Sequence, residues 1–310
     1  MTMVPGPAPA PDEILRRLEL TVTRKLDGLL QGDYRGLVPG HGSELGETRE
    51  YQPGDDTRRI DWNVTARMQV PHIRDTIADR ELETWVLVDQ SASLDFGTAN
   101  CEKRDLVVNA LAAIGFLTAR NGNRLGAMLL RPGQPPVTVP ARTGRVHLRS
   151  VLHRVLTAPR LEGAGATDLA AAVDRLGATM PRRGLAVVVS DWLDPTPWQM
   201  PMRRLGVRHD VLAIEVLDPR ELALADVGVL ELVDPETGFM YEVQTSDAKL
   251  RERYAAAAVA QRDAIARDLR ASGADHLTLR TDTDWMLDLV RFVVSRRQNR
   301  RSAAPPIVVT

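Results

Sequence analysis

The sequence predicts an α/β protein with a doubly wound, mostly parallel sheet and a smaller N-terminal region of one helix, loops and short strands. Three apolar runs bounded by polar loops indicate buried strands, at residues 85–89, 184–190 and 209–217. Amphipathic helical patterns alternate with these runs, for example at 102–121 and 167–180. Strands that are apolar on both faces and separated by helices are typical of a parallel sheet covered on both sides.

The other elements follow from the same periodicities. Leu15, Leu18 and Val22 lie on one face of a predicted helix from about Asp12 to Gly32. Further predictions are strands at 124–130, 137–141 and 275–281, helices at 145–157, 197–205, 246–271 and 284–297, and a hairpin at 229–243. We expect Ser246 to cap the 246–271 helix and Gly273 to end it.

The predicted organisation has four parts along the chain. Residues 1–12 form a disordered Pro/Ala tail and residues 13–81 the N-terminal region, which is rich in Gly, Arg and Asp after its helix. Residues 82–297 form the α/β domain, and residues 298–310 a flexible tail.

Charge and composition exclude several classes of function. Lys+Arg is 40 against Asp+Glu 41, which argues against nucleic-acid binding by bulk attraction. With Cys101 as the single cysteine, neither an intramolecular disulfide nor a cysteine-based zinc site can form. Its predicted place beside a helix start could lower the pKa of the thiol, although an unreactive thiol is the simpler expectation. No apolar stretch approaches the roughly 20 residues of a membrane span, so we expect a cytoplasmic protein.

Polar side chains gather where three of the predicted segments meet the carboxyl edge of the sheet. Asp89, Ser91 and Ser93 follow the first buried strand, Thr167 enters a helix, and Asp191 follows the strand at 184–190. All five offer oxygen ligands, which suit a hard cation such as Mg²⁺ or Mn²⁺. A site with so few direct charges leaves the metal electrophilic, so an open coordination position would take a carboxylate from a partner.

This Asp-x-Ser-x-Ser pattern, with its later Thr and Asp, resembles the metal-ion-dependent adhesion site (MIDAS) of von Willebrand factor A domains. The resemblance implies that Ser91 and Ser93 are direct metal ligands and that Thr167 is a direct or water-mediated one. It implies that Asp89 and Asp191 often act through water. The fold that it implies is the von Willebrand A (Rossmann-like) type.

A second pattern lies before that domain. The run REYQPGDDTRRIDW at 49–62, followed by TAR at 65–67, resembles the hallmark segment of the DUF58 family. DUF58 proteins are commonly encoded beside MoxR-type AAA+ ATPases and are thought to act with them as adaptors. The 49–67 run could form a contact surface or gate over the metal edge, or a salt-bridged structural clamp. We favour the clamp, with Trp62, Ile60 and Tyr51 anchoring it.

The expected function is therefore that of a non-enzymatic cytosolic adaptor, which binds a MoxR-type ATPase or its client through a Mg²⁺-dependent site. One alternative is a metal-dependent hydrolase with an unrecognised site, and another is a structural scaffold with a vestigial metal site. A haloacid-dehalogenase-type phosphatase needs an Asp where this chain has Ser91. The sequence also lacks a P-loop and a G-x-S-x-G elbow.

Overall fold

The computed structural model describes residues 10–30, 48–52, 57, 60–74, 83–120, 122–160 and 165–303. Most of the predicted N-terminal tail, the end of the C-terminal tail and much of the 31–82 segment lie outside these described residues. The elements in chain order are α1 Pro11–Leu30, β1 Thr48–Glu50, α2 Trp62–Met68, β2 His72–Arg74, β3 Glu83–Asp89, α3 Lys103–Arg120, β4 Arg124–Arg131, β5 Gln134–Arg142, α4 Arg145–Leu156, α5 Leu169–Thr179, β6 Leu185–Ser190, α6 Gln199–Arg208, β7 Asp210–Leu217, β8 Val229–Val233, β9 Met240–Gln244, α7 Ala248–Ala271, β10 Asp275–Arg280 and α8 Trp285–Ala303.

A six-stranded sheet forms the centre of the molecule, in the order β10-β7-β6-β3-β4-β5. Neighbouring strands are parallel except for the edge pair, where β5 returns antiparallel to β4. From β3 the chain builds outward through β4 and β5, and it then crosses to β6 on the other side of β3. This arrangement confirms the predicted doubly wound α/β class. The switch point between β3 and β6 is where such sheets place ligands.

Two apolar layers cover the sheet because successive side chains of a strand point to opposite faces. Val86 and Val88 of β3 pack with the layer of α1, α3, α4 and α8, whereas Trp85 and Leu87 pack with that of α5, α6 and α7. The N-terminal helix α1 contributes Leu15 to the first layer and contacts α3, α4 and α8. It is thus built into the core of the α/β sheet.

The 49–67 run is only partly described, and its clearest feature is the short helix α2. The Asp61 carboxylate caps this helix by accepting from the backbone N–H groups of Asn63 and Val64 at 3.1 and 3.3 Å. Trp62 is 71% exposed, so the prediction that its ring anchors the segment is wrong. Ile60 instead forms an isolated antiparallel bridge with Ile73, which is buried beside it.

Helix ends differ from the sequence prediction in two places. Asp247 caps α7, not Ser246, because its carboxylate accepts from the N–H groups of Lys249 and Leu250. Gly273 follows the end of α7 with φ +79°, as expected for the residue that ends it. Helix α8 continues to Ala303 rather than ending at 297. Across the described ranges, none of the helices combines the length and apolar character of a bilayer span.

Candidate functional site

The switch point brings together two carboxylates from neighbouring strands. Val88 and Val189 pair in register, so Asp89, at the end of β3, lies beside Ser190, the last residue of β6, and Asp191, which follows it. The Asp89 carboxylate accepts from the Ser91 backbone N–H at 2.9 Å and from the Ser190 hydroxyl at 2.7 Å. Asp89 and Asp191 are each 2% exposed. The geometry therefore holds two acidic groups against each other under the carboxyl edge of the sheet.

Two serines complete the turn that leaves β3. The Oγ atoms of Ser91 and Ser93 are 3.1 Å apart, and the Ser93 hydroxyl is near enough to the Asp191 carboxylate to help lower its pKa. Ser91 is buried and precedes a single 3-10 turn at residues 92–95, in which Ser93 is half-buried. Four of the five side chains predicted from the sequence thus lie close together at this edge.

Thr167 is at the same edge but has a different partner. Its hydroxyl donates to the Asp194 carboxylate at 2.7 Å, and the backbone N–H of Leu169 donates to the same oxygen at 3.1 Å. Asp194 thereby joins Thr167 to the first backbone N–H of α5, whose N-cap is Asp168. The sequence prediction missed Asp194, although its position three residues after Asp191 in the same loop was a usable signal.

The two central carboxylates differ in their electrostatics. Burial, and then the negative charge of Asp191, raise the pKa of Asp89 to about 7. Burial would also raise the pKa of Asp191, but the adjacent Lys103 ammonium outweighs it and lowers that pKa below its ordinary value. At this edge Asp191 is therefore fully charged and paired with Lys103, whereas among the described residues hydrogen bonds, and no adjacent cation, stabilise a negative charge on Asp89.

Lys103, at the start of α3, is the cation that sequence reasoning missed. Its side chain is 0% exposed, and Nζ lies 2.9 Å from Asp191 and 2.5 Å from Glu221. Burial alone would lower the pKa of Lys103, but these two carboxylates raise it above 10.5. The ammonium is therefore permanently charged near neutral pH and binds the β6 end of the site to the turn after β7.

Arg262 of α7 extends this network away from the site. Its guanidinium donates to the backbone carbonyl of Asp191 at 2.8 Å and forms ion pairs with Glu215 and Glu221 at 3.1 and 3.3 Å. Glu215 in turn lies 2.9 Å from the His276 ring. The loop that carries Asp191 is consequently held by α3 and α7 together.

The chemistry of this donor set fits a hard divalent cation. Asp89, Ser91, Ser93 and Asp191 present carboxylate and hydroxyl oxygens, with Thr167 at the same edge. Within the described part of the chain, this site included, no group of three or more His, Cys, Asp or Glu side chains is placed to hold a metal ion. A cation at this edge would depend on hydroxyl oxygens and retained waters, as Mg²⁺ sites often do. Its presence stays a prediction.

Cys101 lies outside this site and is not activated. Burial, and then the nearby charges of Asp105, Asp218 and Glu102, raise the pKa of its thiol to about 11. The sequence-based possibility of a lowered thiol pKa is wrong, because burial and the acidic neighbours outweigh any effect of the helix start.

Comparison with known proteins agrees with the motifs. The profile of the family described as "Protein of unknown function DUF58" matches residues 47–264. The chain is 56% identical over 284 residues to the uncharacterized proteins Rv1480 of Mycobacterium tuberculosis and Mb1516 of Mycobacterium bovis, covering 92% of this chain and 89% of each relative. The resemblance predicted from the 49–67 run is therefore confirmed.

Solved structures with a similar fold are distant in sequence. The conserved hypothetical protein BatB from Bacteroides thetaiotaomicron is 12% identical, with a TM-score of 0.43 over 70% of this chain and 99% of that one. The SpRpn10 VWA domain is 11% identical, with a TM-score of 0.38 over 68% of this chain and 94% of that one.

Proposed function

The chain belongs to the DUF58 family, and we propose that it is a non-enzymatic, cytoplasmic adaptor that binds a protein partner at the β3–β6 switch point. In this proposal a Mg²⁺ ion, or Mn²⁺ in its place, sits among Asp89, Ser91, Ser93, Thr167 and Asp191. The ion supplies an electrophilic position that accepts an acidic side chain of the partner. The partner proposed is a MoxR-type AAA+ ATPase or a client delivered to it.

The observation that carries this proposal is the pairing of two buried carboxylates at a ligand-binding edge. Asp89 and Asp191 lie at the ends of separate strands, and the turn after Asp89 carries the Ser91 and Ser93 hydroxyls, which are 3.1 Å apart. Holding like charges together in a buried place is unfavourable unless a proton or a cation compensates them. A divalent cation at this position would offset the charge that Lys103 leaves uncompensated.

The surrounding residues would orient this site rather than react. Ser190 and the Ser91 backbone N–H fix the Asp89 carboxylate, while Lys103 fixes that of Asp191. Hydroxyl ligands carry no charge, so they would leave the bound ion able to attract a further carboxylate. The choice of a MoxR-type ATPase rests on the resemblance of the 49–67 run to proteins encoded beside such ATPases.

The test is a titration of wild type and of Asp89→Asn with Mn²⁺, in which electron paramagnetic resonance measures the bound and free ion. We expect about one tightly bound ion in wild type and an affinity at least tenfold weaker in Asp89→Asn. The amide keeps the shape of the side chain and removes a repelled charge, so the variant should still fold. Asp174→Asn is the matched control, because Asp174 is exposed and pairs with Arg204 on the surface.

The partner is tested by co-purification of the MoxR-type ATPase of the same genome, with Mg²⁺ or with EDTA. Retention in Mg²⁺, together with loss in EDTA and in Asp89→Asn, is the expected result. Equal retention by wild type and Asp89→Asn under both conditions would show that no metal bridges the two proteins. Absence of Mn²⁺ binding to wild type would overturn the cation site itself.

A further inference from the structure

The hairpin of β8 and β9 reaches from the β7 side of the sheet to the candidate site. Its base is fixed at Thr245, a fully buried residue whose backbone N–H and hydroxyl both donate to the Gly228 carbonyl at 2.7 Å. Its tip, the turn at 234–239, contacts the loop before α5, where the Gly165 backbone N–H donates to the Glu236 carbonyl at 3.2 Å. The tip of the hairpin therefore lies at the carboxyl edge of the sheet, beside the loop that carries Thr167.

Asp234 gives this turn a fixed shape. Its carboxylate accepts from the Glu236 backbone N–H at 2.9 Å and from the Thr237 hydroxyl at 2.6 Å. Its own backbone N–H donates to the Phe239 carbonyl at 2.9 Å, which closes the turn. The backbone at Glu236 is thus held in place by local bonds on both sides, so the position of this residue over the edge is a built feature.

The environment of Glu236 is acidic, although the residue lies at the end of a hairpin. Its side chain is half-buried, whereas the neighbouring Pro235 and Thr237 are exposed. Burial raises the pKa of Glu236, and the negative charges of Asp191 and Asp194 raise it further. Its carboxylate is therefore exposed to the negative charge of the candidate site. Such an arrangement is repulsive without a cation and attractive once a divalent ion is bound.

We propose that Glu236 is this chain's own carboxylate over the candidate cation site, held there by the Gly165–Glu236 backbone bond, and that a partner's acidic side chain must displace it. The inference rests on the proposed function. With a divalent ion bound, the turn at 234–239 is drawn to the edge and covers the ion. Among the described residues, one backbone hydrogen bond ties the tip to the α5 loop, and a competing carboxylate can open this contact.

The exposed strands of the hairpin are consistent with such movement. Val229 and Met240 are 63% and 71% exposed, and β8 and β9 pair only with each other within the described residues. A two-stranded hairpin with few buried apolar contacts belongs to the part of a structure that opens most easily. The base at Thr245 can then act as the fixed end while the tip moves.

The test compares Glu236→Gln with Glu231→Gln, a matched control on the exposed part of the same hairpin, where Glu231 pairs with Glu242. We expect Mn²⁺ affinity to fall at least about tenfold in Glu236→Gln, the lower limit even for a group that only supports a bound metal, and to stay unchanged in Glu231→Gln. Water proton relaxation per bound Mn²⁺ should rise in Glu236→Gln, because removal of the covering carboxylate admits water to the ion.

Hydrogen–deuterium exchange gives an independent measurement of the same contact. Mg²⁺ should slow exchange of the Gly165 amide and of the turn at 234–239 in wild type and in Glu231→Gln, but not in Glu236→Gln. Equal Mn²⁺ affinity and equal slowing in Glu236→Gln would overturn this inference and leave the cation site standing. If wild type binds no Mn²⁺, both the inference and the proposed function fail.

Discussion

Replacing Lys103 with methionine tests how the protein keeps Asp191 charged inside the molecule. The change preserves the length of the side chain and removes a fully buried ammonium that lies within 2.9 Å of Asp191 and 2.5 Å of Glu221. Removal of one partner from a buried ion pair costs about 3–5 kcal/mol, because the remaining charge stays desolvated. Arg262 still neutralises Glu221, so most of the loss should arise at Asp191.

Thermal unfolding in metal-free buffer measures this loss. At about 2–4 °C per kcal/mol for domains of this size, the melting temperature of Lys103→Met should fall by about 10 °C. Added Mg²⁺ should raise the melting temperature more in the variant than in wild type, since a bound cation would replace the missing positive charge. Arg204→Met is the control, because its exposed ion pair with Asp174 should contribute less than about 1 kcal/mol.

Two results would refute this reasoning. A melting temperature of Lys103→Met within about 2 °C of wild type, below the smallest shift that the ion-pair estimate allows, would mean that Asp191 does not need the ammonium. An equal Mg²⁺ response in the variant and in wild type would mean that no divalent cation approaches the Asp191 carboxylate.

Three other measurements address the regions around the site. Asp218 accepts from the hydroxyls of Thr98 and Thr281. Burial opposes the ionisation of Asp218, but these bonds lower its pKa below 3.8. The ionised carboxylate should therefore stabilise the fold above pH 3.8, and this contribution to the free energy of unfolding should be lost as the pH falls below that value. Asp218→Asn should not show this loss of stability in acid unfolding. In thermal melts, Asp61→Ala should lower the free energy of unfolding by about 1 kcal/mol, because the α2 cap is lost. Trp62→Ala should change the free energy of unfolding by no more than about 0.5 kcal/mol, and a larger effect would support the clamp interpretation of the 49–67 run. Iodoacetamide should alkylate Cys101 far more slowly than a free thiol at pH 8, and a rapid rate would contradict its raised pKa.

The central sheet was predictable because its signal is local. A strand buried on both faces needs apolar side chains at every position, so the runs at 85–89 and 184–190 indicated β3 and β6 without knowledge of their neighbours. Trp62 shows where this reasoning fails. Hydrophobicity favoured a buried ring, but α2 is a short helix with no buried side chain, and nothing in its sequence defines which face meets the protein.

The polar part of the site was predictable only where it follows a strand. Asp89 and Asp191 are recognisable because the carboxyl ends of neighbouring parallel strands meet at one edge. Thr167 was correctly placed at that edge, but its actual partner, Asp194, depends on the path of the loop after β6. Hydrogen-bond partners within a loop are fixed by backbone geometry that the residue types do not specify.

The buried charge network required the tertiary structure, for a reason that also bears on how the site works. Lys103 and Arg262 lie on helices whose charged residues are expected to face solvent, yet both side chains turn inward to the Asp191 loop. One sequence signal was available, because Lys103 is one of three lysines in a chain with 40 basic residues. An ammonium concentrates its charge on one atom, which suits a single buried carboxylate better than a planar guanidinium does. Lys103 can therefore balance Asp191 while leaving Asp89 uncompensated, and this imbalance is what a divalent cation at the switch point would correct.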